Sequence, residues 1–169
     1  TPVIVVCAGA KSLLDLPRTL EFLETWGVPV LGWRTDEFPA FYSRRSGLPV
    51  DQQVRDAQEV AEVFRAQRRL RLPQALLVTV PPAAEQEVPA EDVEPMIAQA
   101  VAEAESQGVS GRALTPFVLA RMVELSGSRT QRANEHLLVQ NARVAARIAG
   151  VLADRGLSPA REPSDAPGD

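Results

Sequence analysis

Residues 3–15 read Val-Ile-Val-Val-Cys-Ala-Gly-Ala-Lys-Ser-Leu-Leu-Asp. The first four are an uninterrupted β-branched run, which is typical of a strand covered on both faces. Ala8, Gly9 and Ala10 follow, and such small residues let the backbone turn tightly or approach a ligand closely. Ser12, followed three residues later by Asp15, is a weak form of the capping box that begins many helices. The stretch therefore predicts a buried strand, a tight turn and a helix.

The turn carries Lys11, which is the only lysine although lysine and arginine together number 18. Arginine serves as well as lysine for solubility or an ion pair, but its guanidinium cannot lose a proton and attack a carbonyl group. A helix N-terminus and apolar walls would lower the pKa of this lysine from about 10.4 toward roughly 7 to 8, the range of a nucleophilic amine. A surface or structural lysine explains these residues equally well. A phosphate-binding loop does not, because Ala10 and Val5 occupy the positions where that motif requires glycine.

The rest of the chain alternates strands and helices without internal repeats. We expect strands over about 28–32 and 75–80, a helix over about 54–70 and an amphipathic helix that Gly108 closes. Residues 43–53 read as a loop, in which Arg44 and Arg45 could attract a phosphate. Thr115 and the following proline indicate a helix start, and the helix after them is apolar nearly all round, which predicts burial.

The last helix is expected to run to about residue 153 with two asparagines on its core-facing stripe. The members of that stripe, spaced three or four residues apart, are Asn134, Leu138, Asn141, Ala145, Ile148 and Leu152. A buried amide without partners costs about 1 to 3 kcal/mol, so each asparagine must bond to backbone, water or a ligand. From the residues alone, bonds to neighbouring backbone are favoured. His136, the only histidine, points away from the stripe and is expected at the surface or an interface.

The composition limits which kinds of binding partner and which cellular compartment are expected. The chain has 169 residues, of which 45% are hydrophobic, with a net charge of −4 and a pI near 5.1. This balance argues against nucleic acid or a membrane surface as the main partner. One cysteine excludes an internal disulfide and fits a reducing compartment, so we expect a cytoplasmic protein, or a mitochondrial one if a targeting peptide precedes Thr1. Metal-ligand spacing is absent, and residues 154–169 read as a disordered tail or linker.

Six motifs occur in the same order in one family of enzymes. They are Cys-Ala-Gly-Ala-Lys-Ser-Leu-Leu-Asp at 7–15, Thr-Leu-Glu-Phe-Leu-Glu-Thr-Trp-Gly-Val-Pro-Val at 19–30, Thr-Asp-Glu-Phe-Pro-Ala-Phe-Tyr at 35–42, Ala-Glu-Ala-Glu-Ser-Gln-Gly-Val-Ser-Gly at 102–111, Leu-Thr-Pro-Phe-Val-Leu-Ala-Arg at 114–121 and Asn-Glu-His-Leu-Leu-Val-Gln-Asn-Ala at 134–142. Over residues 1–153 the chain resembles the C-terminal part of pseudouridine-5'-phosphate glycosidase.

The resemblance implies reversible cleavage of the carbon–carbon glycosidic bond of pseudouridine 5'-phosphate, giving uracil and ribose 5-phosphate through a lysine Schiff base. Lys11 matches the family's nucleophile, and Asn134 matches an asparagine of its substrate pocket. A C-glycoside has no leaving heteroatom, so an imine is better suited to it than the carboxylate pair of ordinary glycosidases. The family further implies a homotrimer that uses Mn²⁺.

Two departures from the family bear on activity. Val80 stands where the family has an asparagine before proline, and a valine side chain cannot hydrogen-bond to substrate. The family's general acid, second lysine and metal-binding acid lie upstream of residue 1. We therefore expect an incomplete three-layer α/β/α domain with a mixed or mainly parallel sheet, inactive as an isolated chain. A Schiff-base lyase acting on a sugar phosphate and a noncatalytic homologue are the alternatives.

Overall fold

A parallel β-sheet forms the centre of the fold in the computed structural model, which describes residues 2–10 and 15–154. Its strands in these ranges are β1 (Ile4–Cys7), β2 (Val30–Trp33), β3 (Gln52–Val54) and β4 (Leu76–Thr79). Their spatial order is β1-β4-β2-β3, and each neighbouring pair is parallel. The predicted α/β class with a mainly parallel sheet is confirmed.

The helices account for most of the remaining described chain. They are α1 (Leu16–Thr25), α2 (Ala57–Arg69), α3 (Ala90–Ser106), α4 (Leu114–Leu125) and α5 (Arg129–Asp154). Two single 3₁₀ turns, Ala84–Gln86 and Gly111–Ala113, connect them. Within the described ranges no helix is long and apolar enough to cross a membrane.

The strand order decides which face each crossover helix covers. The chain moves from β1 past β4 to β2, and later returns from β3 to β4. Because parallel crossovers are right-handed, opposite directions of travel put α1 and α2 on opposite faces of the sheet. Leu31 belongs to the core cluster that includes α2, whereas its neighbour Val30 lines a cavity with Leu20 of α1. Helices therefore lie on both faces, as three layers require.

The main core lies between the sheet and helices α2 and α5. Its buried members are Leu31, Trp33, Val54, Ala57, Val60, Phe64, Leu76, Val78, Val80, Val144 and Ile148. Burial of each large aliphatic or aromatic side chain contributes about 1.5 to 3 kcal/mol to folding. Thr79 is a buried polar residue of this region, and its hydroxyl donates to the Leu31 carbonyl oxygen at 3.1 Å. The carboxyl-terminal part of α5 thus holds β1 and β4 from one side.

The opposite face of the sheet is thinly covered. Helix α1 contains no buried residue. Val3 and Val5 of the β1 segment are 45% and 43% exposed, and Phe22 and Trp26 of α1 are 62% and 64% exposed. Among the described residues this is apolar surface that the chain does not bury itself.

A second core joins the long helices to the loops that follow β2 and β4. Its buried members are Tyr42, Val88, Val93, Ala100, Val118, Met122 and Ala133. Ion pairs between Arg121 and Glu103 at 2.6 Å and between Arg129 and Asp92 at 3.1 Å connect its helices. The amino-terminal part of α5 therefore packs with α3, α4, Tyr42 and Val88, while its later turns pack on the sheet.

Three expectations from the sequence were wrong. Gln52 and Gln53, expected in a loop, and Val54, expected to begin the next helix, form the edge strand β3. Helix α4 begins at Leu114 without a side-chain cap, and only Val118 and Met122 of it are buried. The buried face of α5 contains Thr130, Ala133, Leu137, Val144 and Ile148, so Leu138, expected on the core stripe, is 63% exposed. The buried face has the same repeat of about 3.6 residues as the predicted stripe but is rotated about the helix axis by part of a turn, which takes Leu138 out of the core.

Candidate active site

The small-residue turn after β1 is held tightly against the loop that follows β2. Gly9 has a φ of +83°, and a Cβ atom there would lie 1.8 Å from the Pro39 carbonyl oxygen. The Phe41 N–H donates to the Ala8 carbonyl oxygen at 3.1 Å. Glycine is required at this position both for its backbone conformation and for space. The close approach expected of these small residues is made by the backbone of residues 39–41.

Phe41 also has an unusual backbone conformation. Its φ is +62°, which is a genuine outlier for a bulky residue and costs free energy unless its surroundings impose it. The bond to Ala8 and an edge-to-face contact with the Tyr42 ring, with centroids 4.8 Å apart, supply those surroundings. Such strained residues concentrate at functional sites. The loop therefore fixes the turn that leads to residue 11.

Lys11, the expected nucleophile, lies outside the described residues, as do Ser12 and the two leucines after it. The structure gives the frame on either side of them. The clamped turn of residues 8–10 precedes residues 11–14. After them, Asp15 caps α1 by accepting a hydrogen bond from the Arg18 N–H at 3.0 Å. The carboxyl edge of a parallel sheet, where strands give way to loops and helix N-termini, is the usual place for ligands in α/β folds.

The arginine pair of residues 44–45 has partners within the protein. Arg44 donates from Nη1 to the Pro82 carbonyl oxygen at 2.5 Å, and its backbone N–H donates to Glu87 at 2.8 Å. Arg45 pairs with Glu37 at 3.3 Å. These contacts tie the loop after β2 to the loop after β4. Phosphate binding by the pair stays a prediction.

Asn134 lies on α5 beside Ala133, a member of the second core that also contains Tyr42. Its side chain is half-buried. Because Tyr42 adjoins Phe41, this packing brings the first turns of α5 toward the loop that clamps Ala8. The structure thus puts Asn134 on the same side of the fold as the turn before Lys11, and its role as a substrate ligand stays a prediction.

Two further amides of α5 lie at the end of β4. Gln140 donates from Nε2 to the Pro81 carbonyl oxygen at 3.1 Å. Asn141 buries its Oδ1, which has no hydrogen-bond partner in the described part of the chain. The sequence marked Asn141 as a polar residue on the buried stripe but missed Gln140. A spacing counted from Ala133 and Leu137 to Val144 would have put Gln140 on the same face.

Val80 has no exposed surface and packs in the main core, while its N–H donates to the Cys7 carbonyl oxygen at 2.7 Å. In this chain the position therefore contributes apolar packing where β4 ends.

A groove of about 710 Å³ opens between α5 and the loop after β4. Gln86, His136, Gln140 and Arg143 are among its lining residues. His136 is exposed, as the sequence predicted, and its Nδ1 lies 2.8 Å from the Arg132 carbonyl oxygen. The groove joins polar groups of α5 to the carboxyl edge of the sheet.

Burial determines the charge of Cys7 and Tyr42, two titratable groups of the described residues around the turn. It raises the pKa of the Cys7 thiol, an effect that a hydrogen bond with the Gly9 backbone only partly opposes. It also raises the pKa of the Tyr42 hydroxyl. Both groups are therefore neutral at pH 7, and the Cys7 thiol is poorly suited to act as a nucleophile because the thiolate is the reactive form.

The residues in ranges 2–10 and 15–154 do not supply a metal-binding cluster. Within them, no three side chains of His, Cys, Asp or Glu come together in a way that could hold a metal ion. The donor set of this part of the chain does not fit Mn²⁺, and manganese stays an expectation that rests on the resemblance.

Comparison with known proteins assigns the family. The family model described as indigoidine synthase A like protein matches residues 1–151. This chain belongs to the indigoidine synthase A-like family. The match contains the clamped turn, the loop after β2 and Asn134.

Curated relatives in this family carry the name expected from the motifs. Pseudouridine-5'-phosphate glycosidase of Methylobacterium nodulans is 46% identical over 168 residues, which are 99% of this chain and 50% of that protein. The enzyme of the same name from Legionella pneumophila is 50% identical over 149 residues, 88% of this chain and 48% of its own length. The chain thus spans about half the length of the relatives it matches.

Two solved structures of the family share the fold. The prealnumycin C-glycosynthase AlnA, in complex with ribulose 5-phosphate, superposes with a TM-score of 0.82 at 36% identity, over 90% of this chain and 50% of AlnA. An indigoidine synthase A-like protein of Thermotoga maritima gives a TM-score of 0.79 at 35% identity, over 88% of this chain and 49% of its own. This indigoidine synthase A-like chain therefore has the fold of a family whose named members include enzymes of C-glycosidic bonds.

Proposed function

We propose that the chain is the nucleophile-bearing part of a C-glycosidase that converts pseudouridine 5'-phosphate and water reversibly to uracil and ribose 5-phosphate. The observation that carries the proposal is identity of 46–50% to enzymes of that name over 88–99% of the chain. The clamped turn supports it, because residue 11 directly follows a backbone that Gly9 and Phe41 hold in one conformation. A nucleophile must be positioned in this way to gain from proximity.

Lys11 acts as the nucleophile in this proposal. The bond from C1 to the ring oxygen of the sugar opens with a proton going to that oxygen, and the amine, which loses a proton, bonds to C1 in its place. The bond from C1 to the base then breaks with its electron pair and a proton going to the base carbon, while the nitrogen lone pair forms the C=N double bond. The sugar is then held as an imine, which water hydrolyses to ribose 5-phosphate and the free amine. Asn134 binds substrate from α5. Because groups that act as a unit lose nearly all activity when some are removed, this chain alone is inactive without the other half of the enzyme.

Borohydride trapping tests the Schiff base. A full-length protein carrying this sequence, incubated with ribose 5-phosphate and sodium borohydride, should gain one reduced pentose phosphate on Lys11, detected by peptide mass spectrometry. The Lys11→Arg variant keeps the charge but cannot form an imine, so it should show no adduct and turnover reduced by at least about 10³-fold. An adduct on another residue, or an unchanged cleavage rate in the variant, would refute the assignment.

A second candidate follows from the structure of AlnA, a C-glycosynthase that holds ribulose 5-phosphate. The same amine would then act on a pentose phosphate with a carbon partner other than uracil, as a Schiff-base lyase or synthase. Uracil distinguishes the two, since it should compete with borohydride trapping only in a uracil-releasing enzyme. A full-length protein with neither activity nor trapping would be a noncatalytic homologue.

A further inference from the structure

The side chain of Asn141 ends in a buried oxygen that nothing in the described chain satisfies. Its Oδ1 has no hydrogen-bond partner in residues 2–10 and 15–154. Buried amide oxygens in folded proteins almost always accept a hydrogen bond, and one that does not calls for a specific explanation. An acceptor without a donor is a site at which a bound molecule can supply the donor.

The position of Asn141 points to the molecule concerned. Its neighbour Gln140 bonds to the Pro81 carbonyl oxygen, directly after β4, and Val144 packs in the same core as Val80. Val80 in turn donates to the Cys7 carbonyl oxygen at the end of β1. Asn141 therefore lies at the level where β1 and β4 end, which is the edge of the sheet where the turn toward residue 11 begins.

The same helix carries Asn134 two turns earlier. Seven helical residues span about 10.5 Å and return to nearly the same face. That distance suits a small ligand lying along α5 between the two amides. The pair would contact different parts of one molecule at the carboxyl edge of the sheet.

We propose that Asn141 is a second substrate-binding amide, whose Oδ1 accepts a hydrogen bond from a neutral donor of the substrate. This inference rests on the proposed function. Pseudouridine 5'-phosphate offers two sources of such a donor, the N–H groups of the base and the hydroxyl groups of the sugar. Both are uncharged, as suits a neutral amide oxygen in a buried site.

Gln67 supplies a matched control. It is the other side chain in the described residues with a buried, partnerless amide oxygen. It lies near the end of α2, and because α2 follows the carboxyl end of β3, its own end lies toward the amino edge of the sheet, away from the turn. An amide oxygen without a partner should lower the stability of the fold at both positions. Only Asn141 is proposed to bind substrate, so only its substitution should change substrate affinity.

The experiment compares Asn141→Leu with Gln67→Leu in full-length protein carrying this sequence. Leucine has the branching of the asparagine side chain and one heavy atom fewer than the glutamine side chain. In both variants it removes the orphaned oxygen, so both should keep or raise the melting temperature. Only Asn141→Leu should lower kcat/KM for pseudouridine 5'-phosphate, by about tenfold or more and mainly through KM. Calorimetric titration separates the sources: weaker binding of uracil alone assigns the donor to the base, and weaker binding of ribose 5-phosphate alone assigns it to the sugar.

Three results would overturn the inference. The first is an unchanged kcat/KM in Asn141→Leu, and the second is unchanged affinity for both uracil and ribose 5-phosphate. The third is a melting temperature that falls by several degrees in Asn141→Leu but not in Gln67→Leu, which would give Asn141 a purely structural role. A wild-type protein that binds both ligands but cleaves nothing would refute the proposed function instead, and the titrations would still decide the role of Asn141.

Discussion

Gly9 is the residue on which the geometry of the turn depends most directly. The Gly9→Ala substitution would bring a methyl carbon to within 1.8 Å of the Pro39 carbonyl oxygen, at a φ of +83°. The backbone segments around Gly9 and Pro39 would both have to move, so we expect the free energy of unfolding to fall by about 2 to 4 kcal/mol. Chemical denaturation followed by tryptophan fluorescence or circular dichroism measures this loss.

Gly47→Ala is the control for this substitution. Gly47 has a similar φ of +74° but no atom within 4 Å of the added carbon. The free energy of unfolding of this variant should fall by only about 1 kcal/mol, which is the cost of putting alanine in the left-handed conformation. Equal losses in the two variants would mean that the turn is not clamped by residue 39.

At the scale of single residues, the sequence predicted which residues carry the chemistry better than it predicted which residues contact one another. The absence of other lysines marks Lys11, and the motifs mark Asn134, because both signals are carried by residue type and order. The orphaned oxygen of Asn141 and the bond from Gln140 to Pro81 could not be predicted. They depend on how α5 is rotated against the sheet, and a rotation of a few tens of degrees exchanges Leu138 for Leu137 in the core.

At the scale of helices and strands, the pair α3 and α4 is joined by a charged contact with a defined pH dependence. Arg121 donates to both carboxylate oxygens of Glu103, at 2.6 and 3.1 Å, and these bonds lower the pKa of Glu103. A folded-state pKa below the unfolded value gives stability that is present above about pH 4.3 and is lost as the pH falls through the lower folded value.

Glu103→Gln should therefore lower the melting temperature at pH 7, and the difference from wild type should shrink as the pH falls below about 4.3. Glu105→Gln is the matched control, because Glu105 is exposed on the same helix and has no ion pair among the described residues. Thermal melts across pH 3–7 measure both. A difference that persists unchanged at pH 3 would contradict the assigned contact.

Elements with one strong periodic signal were predicted closely, and those set by tertiary context were not. The β-branched run of β1 and the i, i+3, i+4, i+7 pattern of α2 each specify an element locally. Strand β3 contains Gln52 and Gln53, which have no strand preference, and it exists because β2 offers an edge to pair with. Helix α4 is apolar on most sides, yet in the described part of the chain it packs mainly against α3 and less extensively against α5 and residues 111–113.

At the scale of the whole molecule, the apolar surface of β1 and α1 should control association. Val5, Phe22 and Trp26 are exposed on the thinly covered face of the sheet, and apolar patches of this kind mark surfaces that another polypeptide covers. We expect the isolated chain to self-associate at micromolar concentration. Phe22→Ser combined with Trp26→Gln should reduce the association in sedimentation velocity experiments.

Leu138→Gln is the control, since Leu138 is equally exposed but lies on α5, away from this face. It should leave association unchanged. A wild-type chain that sediments as a monomer and melts cooperatively would show that the face needs no cover.

The strand order also has a consequence for the order of assembly during synthesis. Ile4 pairs with Leu76, so β1 leaves the ribosome about 70 residues before the strand that pairs with it here. Helix α5, which packs on β1 and brings Gln140 to Pro81, is completed later still. Contacts so distant along the chain form slowly, because the intervening loop must be closed before they can repay its entropy. The turn that leads to Lys11 is thus made well before α5, and the packing that α5 provides around it is complete only after that helix has emerged.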